Sequence, residues 1–185
     1  MPTNCQQPRH YFRLTFFSFL FYLFSAPSWA TFVTNLSATH VQSVLQMHFP
    51  LREYTTGARV SLHDPQVLLV NGASGMTLMI PVEANIPGEE LRHGHAVVTV
   101  GLSYKATTGE LFLSNPRLQQ FEMPKIPEAL KQELAATVTV MTAKALPLVR
   151  IYTVSEQDLN HSLDKSALKS SGVENDKLRI EFGFR

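Results

Sequence analysis

Met76-Thr77-Leu78-Met79-Ile80-Pro81-Val82-Glu83-Ala84-Asn85-Ile86 alternates without a break, with Met76, Leu78, Ile80, Val82, Ala84 and Ile86 on one side and Thr77, Met79, Pro81, Glu83 and Asn85 on the other. Successive side chains of a strand point to opposite faces, so the segment reads as a half-buried β-strand with one apolar face. Pro81 has no N–H to give to a ladder, which places it at an edge or a bulge. Ala96, Val98, Val100, Leu102 and Tyr104 repeat the pattern against Thr99, Gly101, Ser103 and Lys105. Asp64-Pro65, Asn71-Gly72, Pro87-Gly88 and Thr108-Gly109 are turn signals, each caused by a fixed or positive φ, and they divide the chain from Leu51 to about Met123 into hairpins. The expectation is a run of antiparallel strands. Leu178, Ile180, Phe182 and Phe184 against Arg179, Glu181, Gly183 and Arg185 add a final strand with the most regular alternation in the chain.

Three helices are expected around these strands. Ser37 can cap a short one carrying Val41, Val44, Leu45 and Met47 or His48, stopped by Phe49-Pro50. Ile126, Leu130, Leu134, Val138 (or Thr137), Met141 and Ala145 recur at steps of three and four from Pro127 to Pro147, the signature of one long amphipathic helix over Ile126 to Leu146. Ser155 followed by Asp158 resembles a capping box, from which Leu159, Leu163 and Leu168 predict a third helix ending at Gly172.

Residues Met1 to Ala30 read as a cleavable export signal: Arg9 and Arg13 precede the apolar run Leu14–Phe24, then Pro27 and the small-residue site Ser28-Trp29-Ala30. The apolar run is much shorter than the ~20 residues that span a bilayer, which disfavours a retained anchor. The mature chain is therefore expected to start at Thr31 and to work in the periplasm. Taking 30 residues from 185 leaves 155, one domain over 31–185. Without Arg9 and Arg13 the basic count falls from 16 to 14 against 15 acidic residues, a net charge of −1 with His neutral. That balance gives no support to a nucleic-acid partner. Cys5, the only cysteine, lies before the apolar run. The mature chain thus has no disulfide, no thiolate nucleophile and no lipoprotein cysteine.

Helix and strands have matching lengths, since 21 helical residues span ~31 Å and eleven strand residues ~36 Å. Their widths differ: four or five strands present roughly 19–24 Å of apolar face, whereas one helix covers ~10 Å. The surplus is hidden either by the short helices and the curl of the sheet, as a filled core, or by a guest in an elongated groove. The groove would be lined by Leu78, Ile80, Val82, Val98, Val100, Leu102, Leu134, Val138 and Met141.

Tyr104-Lys105-Ala106-Thr107-Thr108-Gly109-Glu110-Leu111-Phe112-Leu113, the long helix leading into Ile151-Tyr152-Thr153-Val154, and Lys177-Leu178-Arg179-Ile180-Glu181-Phe182 together resemble the YceB-like envelope lipoproteins. The resemblance covers most of the mature chain. It implies an α+β fold, a long curved antiparallel sheet wrapped around one long amphipathic helix with two shorter helices, similar to the tubular lipid-binding superfamily, and a lipid or acyl-chain ligand. Those proteins usually carry a lipidated cysteine after the signal, and here Ser28-Trp29-Ala30 stands instead.

Catalytic patterns are missing from the sequence. His93-Gly94-His95 puts two imidazoles on one strand face, a spacing that can chelate zinc or copper, but no third ligand is apparent unless Glu89, Glu90 or His63 folds close, so no metal is expected. Asn71-Gly72-Ala73-Ser74-Gly75 lacks the lysine and helix of a phosphate loop and reads as a turn. No Gly-x-Ser-x-Gly elbow or His-Glu-x-x-His helix occurs. The sequence thus points to a non-enzymatic envelope protein without cofactor that binds a lipid or other apolar ligand, with peripheral membrane contact compatible with that role. The competing reading is a filled-core interaction module that offers a sheet edge near Met79, Pro81 or Phe112 to an envelope protein partner.

Overall fold

A computed structural model describes residues 31–55, 57–159, 163 and 166–184; the leader read at 1–30 lies outside the described residues. The elements are β1 (Phe32–Ser37), α1 (Ala38–Gln46), β2 (Leu51–Tyr54), β3 (Arg59–Leu62), β4 (Gln66–Leu68), β5 (Met76–Asn85), β6 (Arg92–Lys105), β7 (Glu110–Glu122), α2 (Glu128–Ala145), a 3-10 turn (Leu146–Leu148), β8 (Arg150–Thr153), α3 (Glu156–Leu159), β9 (Ser166–Glu174) and β10 (Lys177–Phe184).

The fold is α+β, with a curled antiparallel sheet and three helices. Seven strands form the larger sheet in the order β2-β3-β5-β6-β7-β8, with β4 also paired to β5. Alternation in β5 and β6 dictates their inner face: Met76, Leu78, Ile80, Val82, Ala84, Ala96, Val98 and Val100 are all at most 2% exposed. The predicted turns are where the strands reverse, with Gly72, Gly88 and Gly109 at positive φ. Helix α2 begins after Pro127 and buries Leu134, Val138, Met141 and Thr142.

One expectation is narrowed and one is corrected. Pro81, expected at an edge or a bulge, is not at an edge, because β5 pairs with β6 on one side and with β3 and then β4 on the other, but the ladder is irregular there, with His63, Asp64 and Pro65 standing against Ile80 and Pro81. The proline sits where β3 has ended and β4 has not begun; its carbonyl accepts from the His63 N–H at 2.9 Å, and no ladder bond is lost for want of a proline N–H. The third helix is also shorter than predicted. Ser155 and Asp158 do form the capping pair, with Asp158 N–H donating to Ser155 Oγ at 3.2 Å, but α3 has only four residues. Leu168 and Gly172 belong to strand β9, which returns into β10 through Asn175 and Asp176, both at positive φ. That two-residue turn is the geometry a twisted hairpin favours, so pairing with β10 overrides the weak leucine spacing.

Strands β1, β10 and β9 form a second sheet. Its Leu36, Val173, Leu178, Ile180 and Phe182 join the same hydrophobic cluster as the larger sheet and α2. Tyr104 of β6 ties the two sheets: its ring meets Phe182 edge-on with centroids 4.9 Å apart, and its hydroxyl lies 2.8 Å from Ser166 Oγ. Among the described residues, no helix is long and apolar enough to cross a membrane.

Close packing of β6 on β7 leaves Gly94 no room for a side chain, since a Cβ there would lie 2.2 Å from the Glu122 carbonyl oxygen and 3.0 Å from Met123 Cα. Gly57 has open space around the same position. Gly94→Ala is expected to lower the urea midpoint by an amount equivalent to about 1–3 kcal/mol, while Gly57→Ala changes it by less than about 0.5 kcal/mol. Equal midpoints for the two variants would contradict the β6–β7 register.

Candidate functional site

The nine residues expected to line a groove are placed in the core. Leu78, Ile80, Val82, Val98, Val100, Leu134, Val138 and Met141 are no more than 5% exposed, and Leu102 is half-buried against the same cluster. They do come together, from β5, β6 and α2, as parts of one hydrophobic cluster. Three threonines of the helix satisfy their hydroxyls on its own backbone: Thr137, Thr139 and Thr142 donate to the carbonyls of Glu133, Ala135 and Val138, four residues back.

Open space lies at the flanks of this layer. A cleft of about 560 Å³ runs between α1, the 3-10 turn after α2, and strands β7 and β8. Its apolar lining comes from Val44, Met47, Phe112, Leu148 and Tyr152. Met47 is 75% exposed and Leu148 73% exposed, so two large apolar side chains face water beside the same cavity. Helix spacing puts Val41 and Leu45 in the core and leaves Met47, at the helix end, pointing away from it. Leu148 is held outward because Pro147 tightens the last turn while Leu146 and Val149 go inward. Phe112 lies on the opposite face of β7 from Leu111 and Leu113, which are fully buried.

The polar part of this cleft is ordered. His40 Nε2 lies 3.0 Å from the Ile151 carbonyl, a contact that requires the ring to donate from Nε2 and that fastens α1 to β8. Arg150 Nη1 donates to Glu110 Oε1 at 2.7 Å, and Thr108 Oγ1 donates to Glu110 Oε2 at 2.7 Å. The hydrogen bond from Thr108, followed by that from Arg150, holds the Glu110 carboxyl below its ordinary value. A second furrow, about 400 Å³, separates α2 from the edge strand β2, where Val140 and Tyr54 are exposed.

The histidine pair gives no site of its own. His93 stands opposite Glu83 and His95 opposite Glu122 in the ladder, with His95 Nε2 3.7 Å from Glu122 Oε2. Among the described residues, no three His, Cys, Asp or Glu side chains are grouped to hold a metal ion. Of the three residues proposed at a docking edge, Phe112 is next to one, on the strand paired to the end strand β8. The cleft as a whole draws on α1, β7, and the 3-10 turn with β8 that follows it, three stretches separated by tens of residues. The one local signal was Met47, which continues the apolar run of α1 beyond the helix end. No protein-family model matches this chain, and no curated protein matches it significantly in sequence.

Because the folded carboxyl of Glu110 titrates below its unfolded value, its contribution is present above the ordinary glutamate pKa and is lost as pH falls through the folded one. Urea midpoints of the wild type and Glu110→Gln, followed downward from about pH 7, are expected to differ most near neutrality and to converge in acid. The neutral difference is small, as fits an exposed pair. A gap that widens in acid would show that Glu110 is not held by Thr108 and Arg150.

Proposed function

We propose that this chain is a non-enzymatic exported protein of the cell envelope that binds an apolar ligand, a lipid or free acyl chain, in the cleft between α1, the end of the long helix and strands β7 and β8. One observation carries the reading: Met47 and Leu148, among the most exposed large apolar side chains of the domain, border one cavity with Phe112 and Tyr152. Its volume of about 560 Å³ lies within the range of ligand sites, which runs from about 300 to 1,000 Å³. Strong solvent exposure of two such residues at one place is costly for a monomer and is relieved when a guest covers them.

Energetics favour this end of the layer over its middle. Separating α2 from the sheet would expose Leu134, Val138 and Met141, at about 1.5–3 kcal/mol for each side chain. A bound acyl chain returns about 0.8 kcal/mol per buried methylene, so its first several methylenes would only offset that opening. The end cleft is open already. A sheet wrapped fully around the long helix, as the resemblance to the YceB-like family implies, would extend the same binding surface along α2 towards the furrow at Tyr54 and Val140. Periplasmic residence follows from the leader read in the sequence.

Fluorescence titration with a long-chain acyl probe tests the assignment. Met47→Gln combined with Leu148→Gln is expected to weaken probe binding at least about tenfold, the loss of part of two apolar contacts. The thermal midpoint should stay nearly unchanged, since both side chains are already in water. Leu134→Ala is expected to do the reverse, costing about 2–5 kcal/mol of stability with little change in the affinity of the folded protein. Native mass spectrometry of gently purified protein provides a second readout. A clean apo mass together with no saturable probe binding would leave the filled-core interaction module, docking an envelope protein partner, as the function.

A further inference from the structure

A separate cleft opens on the outward face of the larger sheet, where the loop between β4 and β5 rises beside the middle of β6 and β7. Its volume is about 510 Å³, and its lining includes Gly75, Thr77, Thr99, Gly101, Asn115 and Arg117, with Ser74 on the loop. No carboxylate and no aromatic ring is among its lining residues. Arg117 is exposed and forms no ion pair among the described residues, although six other cations or histidines of the domain sit within 4 Å of a carboxylate. The side chains of Ser74, Thr77 and Asn115 likewise have no hydrogen-bond partner among the described residues, whereas Thr99 is already engaged by Gln119 at 2.9 Å.

The backbone beneath this cleft is built irregularly. The β6–β7 register shifts between Thr99, which faces Arg117, and Gly101, which faces Ser114, so Asn115 and Pro116 stand against Val100 alone. Asn115 takes φ 50, a left-handed conformation that asparagine tolerates better than most residues. A bulge of this kind re-aims a side chain out of the regular pleat. On the loop side, the Gly72 and Ala73 N–H groups donate to Val173 and Val70, so the loop is fixed in place and those two donors are spent.

We infer that this cleft binds a phosphate-type oxyanion, either a free phosphate ester or the phosphate of a lipid headgroup. Arg117 supplies the charge and a forked donor set that matches such an anion. Asn115, Ser74 and Thr77 supply neutral donors beside it, and Gly75 lets the loop lie directly on the Val100 carbonyl, which holds those donors against the sheet. With no lining carboxylate to repel it, an anion finds a complementary field. Without an aromatic ring, the cleft has no stacking surface for a neutral sugar. This inference does not depend on the apolar cleft, which is built from different residues.

Calorimetric titration of the purified protein with inorganic phosphate at low ionic strength tests it, beside flotation with vesicles of phosphatidylglycerol in phosphatidylcholine and of phosphatidylcholine alone. Saturable phosphate binding is expected, weakened about tenfold or more by Arg117→Gln and less by Asn115→Gly. Glycine accepts the same φ, so the second variant keeps the bulge and the fold. Phosphate binding without vesicle binding assigns the site to a free phosphate ester. Vesicle binding that needs phosphatidylglycerol and is lost in Arg117→Gln assigns it to a lipid headgroup. No binding of either anion, or binding that survives both substitutions in proteins with unchanged thermal midpoints, would overturn the inference.

Discussion

Everything in this fold follows from the need to cover one apolar face. The inner sides of β5 and β6 carry eight residues that are almost entirely withdrawn from water, and a single helix is too narrow to do this. Helix α2 supplies Leu134, Val138 and Met141 from one direction. The remaining coverage comes from the two ends of the domain, which are brought together as β1 and β10, paired from Phe32 with Phe182 to Ser37 with Lys177. Leu36, Leu178, Ile180 and Phe182 of that small sheet, with Val41 and Leu45 of α1, close the core. The surplus of apolar strand is thus met by protein, through a second layer whose strands are far apart in sequence.

Clefts then mark the seams between the coverings. The apolar cleft lies where α1 and the 3-10 turn approach the end of the larger sheet, and neither reaches far enough to close it. Strand β8 at that border has four residues and its register slips between Leu111 and Phe112. Short, irregular edge strands resist pairing with other chains, so this seam can expose apolar side chains without inviting sheet extension. The His40 contact to the Ile151 carbonyl occupies one acceptor of that strand and holds the cleft walls together.

The larger sheet was legible because its signals are local and strong. Period-two alternation in Met76–Ile86 and Ala96–Tyr104, and glycine or proline turns between them, need no tertiary information. The long helix was equally plain between Pro127 and Pro147, and it emerges as α2 followed by the 3-10 turn. Strand β9 was not legible. Ser166-Ala167-Leu168-Lys169-Ser170-Ser171 has little intrinsic preference for a strand and is held by its ladder with β10 and by the Ala73–Val173 backbone contacts, which span about a hundred residues. The two-residue turn Asn175-Asp176 was its only local announcement. Pro81 announced a ladder irregularity but not which kind, since its tolerance depends on where β3 ends and β4 begins. The apolar cleft drew on three separated stretches with no shared motif, and the residues expected to line a groove are buried because β1 and β10 add a covering layer that strand alternation alone does not announce.

Strand alternation also explains how this domain can carry two open clefts without weakening its centre. Leu78 and Val98 point inward and are fully buried, while their neighbours Thr77 and Thr99 point outward into the cleft beside Arg117. The same backbone therefore fixes the position of polar groups on one side by packing on the other, and the outer groups are free to differ because nothing in the core touches them. Met47 and Leu148 stand in an equivalent relation to Leu45 and Leu146, which are buried. In the sheet the adjacent residue anchors the outward side chain, and at Met47 and Leu148 the residue two positions earlier does so. Rigid anchors of this kind limit the conformational entropy that the proposed ligands would cost on binding, which matters most for a shallow cleft.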